Sequence, residues 1–399
     1  MTAAYIYAGF RSPFGRQGGA LATLRPDDLL AQTIASTLAK TKLDPDLVED
    51  VIMGCSNQAG EDSRNVARNA ALLAGLPTKV GGETVNRLCG SGLAAIVNAS
   101  RAVRLGEGDA FIAGGVESMS RAPFVMGKSE QAFSRIVNVF DSTIGSRFPN
   151  PQFLKMFGDD TLAQTADNVG FESEISRDEC DEFAAQSQKK YEKARLSGVF
   201  ESEIVPITVP SKNGAVIVSA DEHPRPDTDL ARLARLKAIH DGGVTTAGNA
   251  SGINDGAAAL VIGDALLGER VNLHPVARIV SSAVVGVEPR VMGLGPVEAI
   301  KKALARAKIT LADVDLIEIN EAFAAQALGC LKLLGVQPTD SRFNPNGGAI
   351  AVGHPLGASG ARIAIGAANY LQRTSGRFAV ISMCIGLGQG IAVVLERAE

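Results

Sequence analysis

Residues 37–54 read TLAKTKLDPDLVEDVIMG, and residues 303–320 read ALARAKITLADVDLIEIN. The two stretches run in step at a constant offset of 266: Leu38 falls on Leu304, Lys42 on Lys308, Val48 on Val314 and Gly54 on Asn320. Each reads as a helix ending in Lys, a short connector with acids, and a β-branched strand. Asp109-Ala110-Phe111-Ile112-Ala113 finds a slightly shifted counterpart in Arg377-Phe378-Ala379-Val380. The period is far too long for a solenoid, so the pattern predicts two similar α/β halves packed together. Chance likeness of helix composition is the alternative.

Outward from this repeat, strands alternate with helices, which predicts layered α/β sheets. The candidate strands are Tyr5–Ala8, Asp50–Gly54, Phe111–Gly114, Ala258–Ile262, Ala277–Val285, Leu316–Ile319, Phe378–Ser382 and Ile391–Leu395. A helix over 296–308 opens on Gly295-Pro296, with proline at its favoured first position, and puts Val297, Ile300, Leu304 and Ala307 on one face. Residues 121–249 differ, being richer in charge, Pro and Asn. There Ser176-Arg177-Asp178-Glu179 is a capping box opening a helix to about Leu196, whose dense polar face predicts a surface position. Asn213-Gly214 signals a hairpin. The expected organisation is an N-terminal half at 1–120 completed by 250–275, an insertion at 121–249 layered over one half, and a C-terminal half at 276–399.

Composition narrows the function. The 399-residue chain is 46% hydrophobic with a net charge of −4, which excludes a disordered chain and argues against a nucleic-acid binder. Its 43 glycines, about 11% against a usual ~7%, follow no collagen period and predict tight turns and close backbone approaches. No apolar run reaches the ~18 residues a membrane span needs. The N-terminus reads as a first strand rather than a signal peptide, and Arg397-Ala398-Glu399 is no peroxisomal address. Five widely spaced cysteines (55, 89, 180, 330 and 384) form no metal-ligand spacing with each other or with histidine, so no metal is expected. Free thiols in a cytoplasmic protein fit this usage.

Two of those cysteines stand apart. Cys89 lies in Thr84-Val-Asn-Arg-Leu-Cys89-Gly-Ser-Gly, between a β-type stretch and a helix of small apolar residues, Leu93 to about Ala102. The free N–H groups and dipole of that helix predict a lowered thiol pKa, as in a nucleophile elbow with Cys in place of Ser. Cys384 lies in Ser382-Met-Cys384-Ile-Gly-Leu-Gly-Gln-Gly390, where the glycines free backbone N–H groups for a ligand and a thiol can serve as a base. His354, in Gly347-Gly-Ala-Ile-Ala-Val-Gly-His354-Pro-Leu-Gly, precedes a helix at about 358–371 and is held extended by Pro355. Such an imidazole can activate a thiol or hold an oxyanion. Asn320-Glu321-Ala322-Phe323 ends the repeated strand, where α/β sheets place functional groups. The competing readings are a buried packing Cys, a His that only caps a helix and an ordinary Asn cap. Cys55, Cys180 and Cys330 lack a glycine setting and read as structural.

These motifs together resemble the thiolase family: V-N-R-L-C-G-S-G at Cys89, N-E-A-F at 320–323, G-G-A-I-A-V-G-H-P-L-G-A-S-G at 347–360 and C-I-G-L-G-Q-G at 384–390. G-G-V-E-S-M-S at 114–120 and A-G-N-A-S-G-I-N-D-G at 247–256 match as well, so the likeness runs the whole length in order. It implies the thiolase fold: duplicated βαβαβαβ halves in a five-layer α-β-α-β-α sandwich with an inserted loop domain. It implies an acyltransferase cleaving 3-oxoacyl-CoA with coenzyme A, or running the reverse Claisen condensation, through an acyl-Cys89 intermediate. Coenzyme A would be a co-substrate, with no permanently bound cofactor, and the assembly a homodimer or homotetramer.

The resemblance also assigns roles. Cys384 protonates the acetyl-CoA enolate or, in reverse, removes that proton. Asn320 holds a water that completes one oxyanion hole with His354. The Cys89 and Gly386 N–H groups form a second hole, and Ser251 contacts the pantetheine arm. Arg225 and Arg232 are candidates for the CoA phosphates, against a merely solvated charged face.

Asn57–Arg68 and Ser118–Lys128 are most similar to β-ketoadipyl-CoA thiolases of aromatic degradation, which points to 3-oxoadipyl-CoA as substrate. Ser146 stands where those proteins usually have Trp, and the C-G-S-G-L motif is closer to biosynthetic members, so acetoacetyl-CoA is the alternative substrate. A carrier-protein synthase would lack Cys384. A non-catalytic acyl or lipid carrier of the same fold would be expected to lose part of the Cys/His/Cys set. A redox sensor would leave the His motif without a role.

Overall fold

The computed structural model describes residues 2–398; Met1 and Glu399, the last residue of the Arg397-Ala398-Glu399 end, lie outside the described residues. The strands that matter here are β1 (Tyr5–Arg11), β2 (Val48–Gly54), β3 (Glu83–Val85), β4 (Ala110–Ser118), β5 (Asn254–Gly263), β6 (Ala277–Gly286), β7 (Leu316–Ile319), β8 (Phe378–Ile385) and β9 (Gln389–Arg397). The helices are α1 (Pro26–Thr41), α2 (Val66–Leu73), α3 (Ser91–Leu105), α4 (Leu162–Glu172), α5 (Arg177–Leu196), α6 (Gly295–Ala307), α7 (Ala324–Leu334) and α8 (Leu356–Thr374). All eight strands expected from sequence form, most of them longer than the apolar pattern suggested.

The sequence repeat is also a repeat of topology. One half orders its strands β2-β4-β5-β1 and the other β7-β8-β9-β6. In both, the first pair is parallel and the next two are antiparallel. β3 pairs parallel to β2, and Phe343 bridges parallel to Ile317 at the matching edge. The 266-residue offset holds even for backbone conformation. Lys42 and Lys308 end α1 and α6 in the left-handed region, φ 54° and 58°, and one-turn helices follow at Pro45–Leu47 and Leu311–Asp313. The two sheets meet edge to edge at Tyr5↔Arg278 and Ile6↔Ala277.

Between the sheets run α3 and α8, packed on each other and on strands of both halves. Their Leu93, Ile96, Ile363 and Ile365 share one core with Ile52 and Phe111 of the first sheet and Ile381 and Val393 of the second. α1 and α2 cover the outside of the first sheet, and α6 and α7 the outside of the second. The result is five layers, α-β-α-β-α. Two helices can share the middle layer because glycines let their backbones approach: a Cβ on Gly92 would lie 2.4 Å from the Gly357 oxygen, and one on Gly360 2.4 Å from the Leu93 nitrogen. Gly92→Ala should therefore push backbone against backbone. Overpacking of this kind costs about 1–3 kcal/mol, and a thermal melt should show a lowered midpoint.

The 121–249 region departs from the expectation of a layer over one half: it straddles both. Ile207 and Val209 of a two-stranded hairpin (Ile207–Val209 with Val216–Val218) enter the first half's outer core. α5 packs Cys180, Phe183 and Ala184 into the second half's core, with Phe183 6.0 Å from Phe343 between ring centroids. α5 does carry the Ser176–Glu179 capping box, but its buried face runs from Cys180 to Ala194, so it is only half surface-lying. The polar count hid this, because a helix needs only one apolar stripe to dock.

Candidate active site

Cys89 sits where a strand becomes a helix. β3 ends at Val85, Leu88 takes φ +47°, and α3 begins at Ser91 behind Gly90. The Ser91 hydroxyl accepts from the Arg87 N–H at 2.8 Å and donates to the Leu88 carbonyl at 2.6 Å, closing the turn. Cys89 is partly exposed, whereas the other four cysteines are buried. Its own N–H and the Gly386 N–H lie close enough to its sulfur to favour the thiolate. The lowered thiol pKa expected from the helix N-terminus is not what the structure shows. Burial pushes the thiol up to about 11, and the buried Glu117 charge adds to the rise. Desolvation of a thiolate outweighs the dipole and the two N–H donors.

Cys384 arrives on β8 and is paired with Gly390 across the hairpin that leads into β9. It is buried among Met292 and Ala322, with Leu162 and Phe323 packed around them. Burial also raises this thiol, and the nearness of Cys89 raises it further. Gly386, two residues on, supplies the N–H at Cys89, so one hairpin turn serves both sulfurs. At Gly386 a Cβ would meet Leu88 at 3.3 Å, which leaves little room there for a side chain.

His354 is buried and held on every side. Its N–H donates to Asn254 Oδ1 at 2.9 Å, and Asn254 is itself tied to the Gly15 carbonyl at 2.9 Å. Nδ1 lies 2.6 Å from Ser359 Oγ, and that hydroxyl donates to the Pro355 carbonyl at 3.0 Å. When that hydroxyl donates to Pro355 it accepts from Nδ1–H, and in this tautomer Nε2 carries a lone pair. Asn320 Nδ2 lies 3.4 Å from that Nε2. Burial, with the Arg362 charge second, lowers the imidazole to about 3, so the resting ring is neutral.

Asn320 follows β7, and its N–H donates to the Ser382 carbonyl of β8 at 2.9 Å, which brings the N-E-A-F corner beside the Cys384 strand. Its Oδ1 is buried without a partner, an acceptor available to a water or a substrate donor. Glu321 has a structural task. It accepts from Ser187 Oγ at 2.6 Å and Asn344 Nδ2 at 2.9 Å, fastening the 344–350 glycine loop to α5. Ser251 hydrogen-bonds through its N–H to the Ala322 carbonyl at 2.9 Å, so the A-S-G loop lines the same corner.

The structure thus gathers Cys89, Cys384, Gly386, His354, Asn320 and Ser251, drawn from both halves. Arg225 and Arg232 share no hydrogen bond with this group. Arg225 is exposed and follows His223, whose ring lies against Gly252; Arg232 is exposed and salt-bridged to Asp227 and Asp229. Cys55 and Cys330 donate to the Asn57 and Gly293 carbonyls at 3.0 and 3.1 Å, and Cys180 is packed in the core. Sequence reasoning overlooked Ser359 and Glu117. Ser359 stood five residues after the histidine inside a quoted motif. Glu117 was the one ionisable residue in an otherwise apolar and glycine-rich strand, a position that is normally buried and partnered.

Among the described residues, one grouping of the metal-ligating type occurs, Cys55 with Asp62 and Glu117, their atoms within 4.8 Å of one another. Those atoms are already hydrogen-bonded: Asp62 accepts from Gly60 at 2.9 Å, and Glu117 accepts from Ser56, Asn57 and Gly357.

A sulfur at a helix start with two N–H groups at its side, a second buried sulfur and a neutral imidazole are a set that can support acyl transfer through a thioester. Comparison with known proteins agrees. The family models "Thiolase, N-terminal domain" and "Thiolase, C-terminal domain" match residues 4–265 and 273–397. The 3-oxoadipyl-CoA/3-oxo-5,6-dehydrosuberyl-CoA thiolase of Escherichia coli (strain K12) is 55% identical over 400 residues, covering all of both chains. Among solved structures, the Bacillus anthracis acetyl-CoA acetyltransferase superposes with a TM-score of 0.93 at 38% identity, over 100% of this chain and 99% of that one. Human mitochondrial 3-ketoacyl-CoA thiolase in complex with CoA superposes with a TM-score of 0.91, also at 38% identity, over 100% and 98%. The chain belongs to the thiolase family and has its fold. It is an acyltransferase.

Proposed function

We propose that this chain cleaves 3-oxoadipyl-CoA with coenzyme A, giving acetyl-CoA and the four-carbon succinyl-CoA. The observation that carries the substrate is the 55% full-length identity to a relative of that name, against 38% to an acetyl-CoA acetyltransferase.

In the proposed cycle the Cys89 sulfur attacks the 3-keto carbon and its proton passes to His354 Nε2, the bare nitrogen of the tautomer above. The N–H groups of Cys89 and Gly386 take the oxyanion that forms. The C2–C3 bond breaks, its electron pair moves to C2, and the acyl group remains on Cys89 as a thioester. The imidazolium Nε2–H and Asn320, through a water, hold the thioester enolate oxygen while Cys384 delivers its proton to C2. Coenzyme A then gives its thiol proton to the Cys384 thiolate and attacks the acyl group. Cys89 leaves and recovers its proton from His354. Every proton is returned, and both cysteines end as thiols. One such oxyanion donor is typically worth about 2.7–4 kcal/mol.

Ser251 is assigned to the pantetheine arm and Arg225 to a CoA phosphate. Arg232 is the weaker candidate because two carboxylates already hold it. A cytoplasmic homodimer or homotetramer fits the family resemblance. No helix among the described residues is long and apolar enough to cross a membrane.

The test is turnover on 3-oxoadipyl-, 3-oxohexanoyl- and acetoacetyl-CoA with free CoA. We expect kcat/KM for the dicarboxylate to lead by about tenfold or more, the equivalent of 1.4 kcal/mol. A lead by acetoacetyl-CoA would move the assignment to an acetyl-CoA acetyltransferase. No turnover on any of the three would favour a carrier.

A further inference from the structure

We infer that Glu117 is a positioning residue for His354: its buried carboxylate caps the helix that begins just after the imidazole and ties that helix to the 55–57 loop. The inference rests on the catalytic role proposed for His354.

Helix α8 starts immediately after the His354-Pro355 pair and has no cap of its own. Pro355 occupies the N-cap position and offers no side-chain acceptor. Its carbonyl accepts from the Ala358 and Ser359 N–H groups at 2.9 and 3.0 Å, so the Gly357 N–H is left without an intrahelical partner. Glu117 Oε2, from β4 in the other half of the molecule, accepts from it at 2.8 Å. Burial raises the Glu117 carboxyl to about 7, while its three N–H donors and the positive end of the helix dipole favour the carboxylate.

The fit is tight. A Cβ on Gly357 would lie 2.5 Å from the Val116 oxygen and 2.7 Å from the Gly54 oxygen, and one on Gly115 would lie 2.0 Å from the Gly357 oxygen. The start of α8 is therefore wedged against β4 at the residues just before Glu117. The same carboxylate accepts from the Ser56 and Asn57 N–H groups at 3.0 and 2.9 Å. Asn57 in turn reaches the Ser142 carbonyl at 3.1 Å and accepts from Arg147 at 3.1 Å. Two motifs that the reaction itself leaves without a role, G-G-V-E-S-M-S and the Asn57–Arg68 stretch, thus converge on one carboxylate.

His354 is consequently bracketed. Asn254 holds its N–H on one side, and Glu117 holds the backbone three residues later on the other. Ser359 and Asn320 then orient the ring. A group that acts through Gly357 rather than on the substrate should affect the chemical step and leave substrate binding nearly intact.

The experiment compares Glu117→Asp and Glu117→Gln in the full-length enzyme, with His354→Ala alongside, measuring kcat and KM for thiolysis and the melting midpoint. Glu117→Asp keeps the carboxyl group but withdraws it by one methylene from Gly357. Its kcat should fall by about tenfold or more with KM within about twofold, because an interaction lost only in the transition state appears in kcat. Glu117→Gln puts an N–H₂ group among three N–H donors and should lose at least as much. If the glutamine variant fails to fold, the aspartate variant decides alone. A folded aspartate variant with native kcat overturns the inference, and so does a loss confined to KM. An active His354→Ala would instead overturn the catalytic reading of the histidine, a different failure.

Discussion

Cys89→Ala should lower thiolysis by roughly 10⁴-fold or more, and no acyl-enzyme should form. In the proposed cycle the sulfur is both the bond-forming atom and the focus of the site. Two backbone N–H groups lie beside it, and the other thiol here, Cys384, is buried and has the proton-transfer task in the proposed cycle. Alanine at 89 keeps the turn, because the Ser91 hydroxyl that closes it bonds to Arg87 and Leu88 and not to the thiol. The protein should therefore fold normally and still bind CoA thioesters. The check is mass spectrometry after mixing with acetyl-CoA: an acetyl adduct on the native chain and none on the variant. A variant that still acylated at residue 89's neighbours and turned over would remove the nucleophile assignment.

Cys384→Ala should separate the two halves of the reaction. Positioned acid–base groups contribute about 10²–10⁴-fold, and the loss should fall on proton transfer at C2. Exchange of the α-hydrogens of acetyl-CoA with deuterated solvent should cease, while acetylation of Cys89 by acetyl-CoA should persist, because that step breaks no C–H bond. Cys384 suits the task because it stays protonated: burial and the neighbouring Cys89 both raise its pKa, so at neutral pH it holds a proton to give to the enolate. In the proposed cycle each turnover returns that proton from the thiol of coenzyme A. Full condensation activity in the alanine variant would mean that another group moves this proton.

The resting charge state follows from the same burial. Cys89 lies near 11 and His354 near 3, so the pair rests as thiol and neutral imidazole rather than as an ion pair. In the proposed cycle proton transfer becomes favourable only as the sulfur bonds to carbon and the oxyanion enters its hole. Free thiolate, which would attack other electrophiles, is scarce until substrate arrives.

Much of this site was legible along the chain. Lys42 and Lys308, 266 residues apart, share a left-handed cap because each ends a helix that must turn sharply into a strand, and sequence identity at such a turn is a local matter. The setting of Cys89, His354 and Cys384 among glycines was local too, since close backbone approach needs residues without side chains wherever it occurs. The duplication, the strands, the capping box of α5 and the chemically able residues could therefore be read from neighbours a few positions away.

Other properties depended on groups hundreds of residues apart, and no local pattern encodes those. The helix N-terminus predicted a lowered Cys89 pKa. The folded protein raises it, because α3 is enclosed by both sheets and desolvation depends on everything within reach, not on one helix. The polar face of α5 suggested a surface helix over one half, yet its remaining face docks into the second half while the hairpin beside it docks into the first. Glu117 was visible only as an odd charge in an apolar strand; its contact with Gly357, 240 residues away, exists because two glycine-bearing elements are pressed together there. Local conformation follows from short-range sterics and hydrogen bonding, whereas solvation and long-range partners are set only when the layers close.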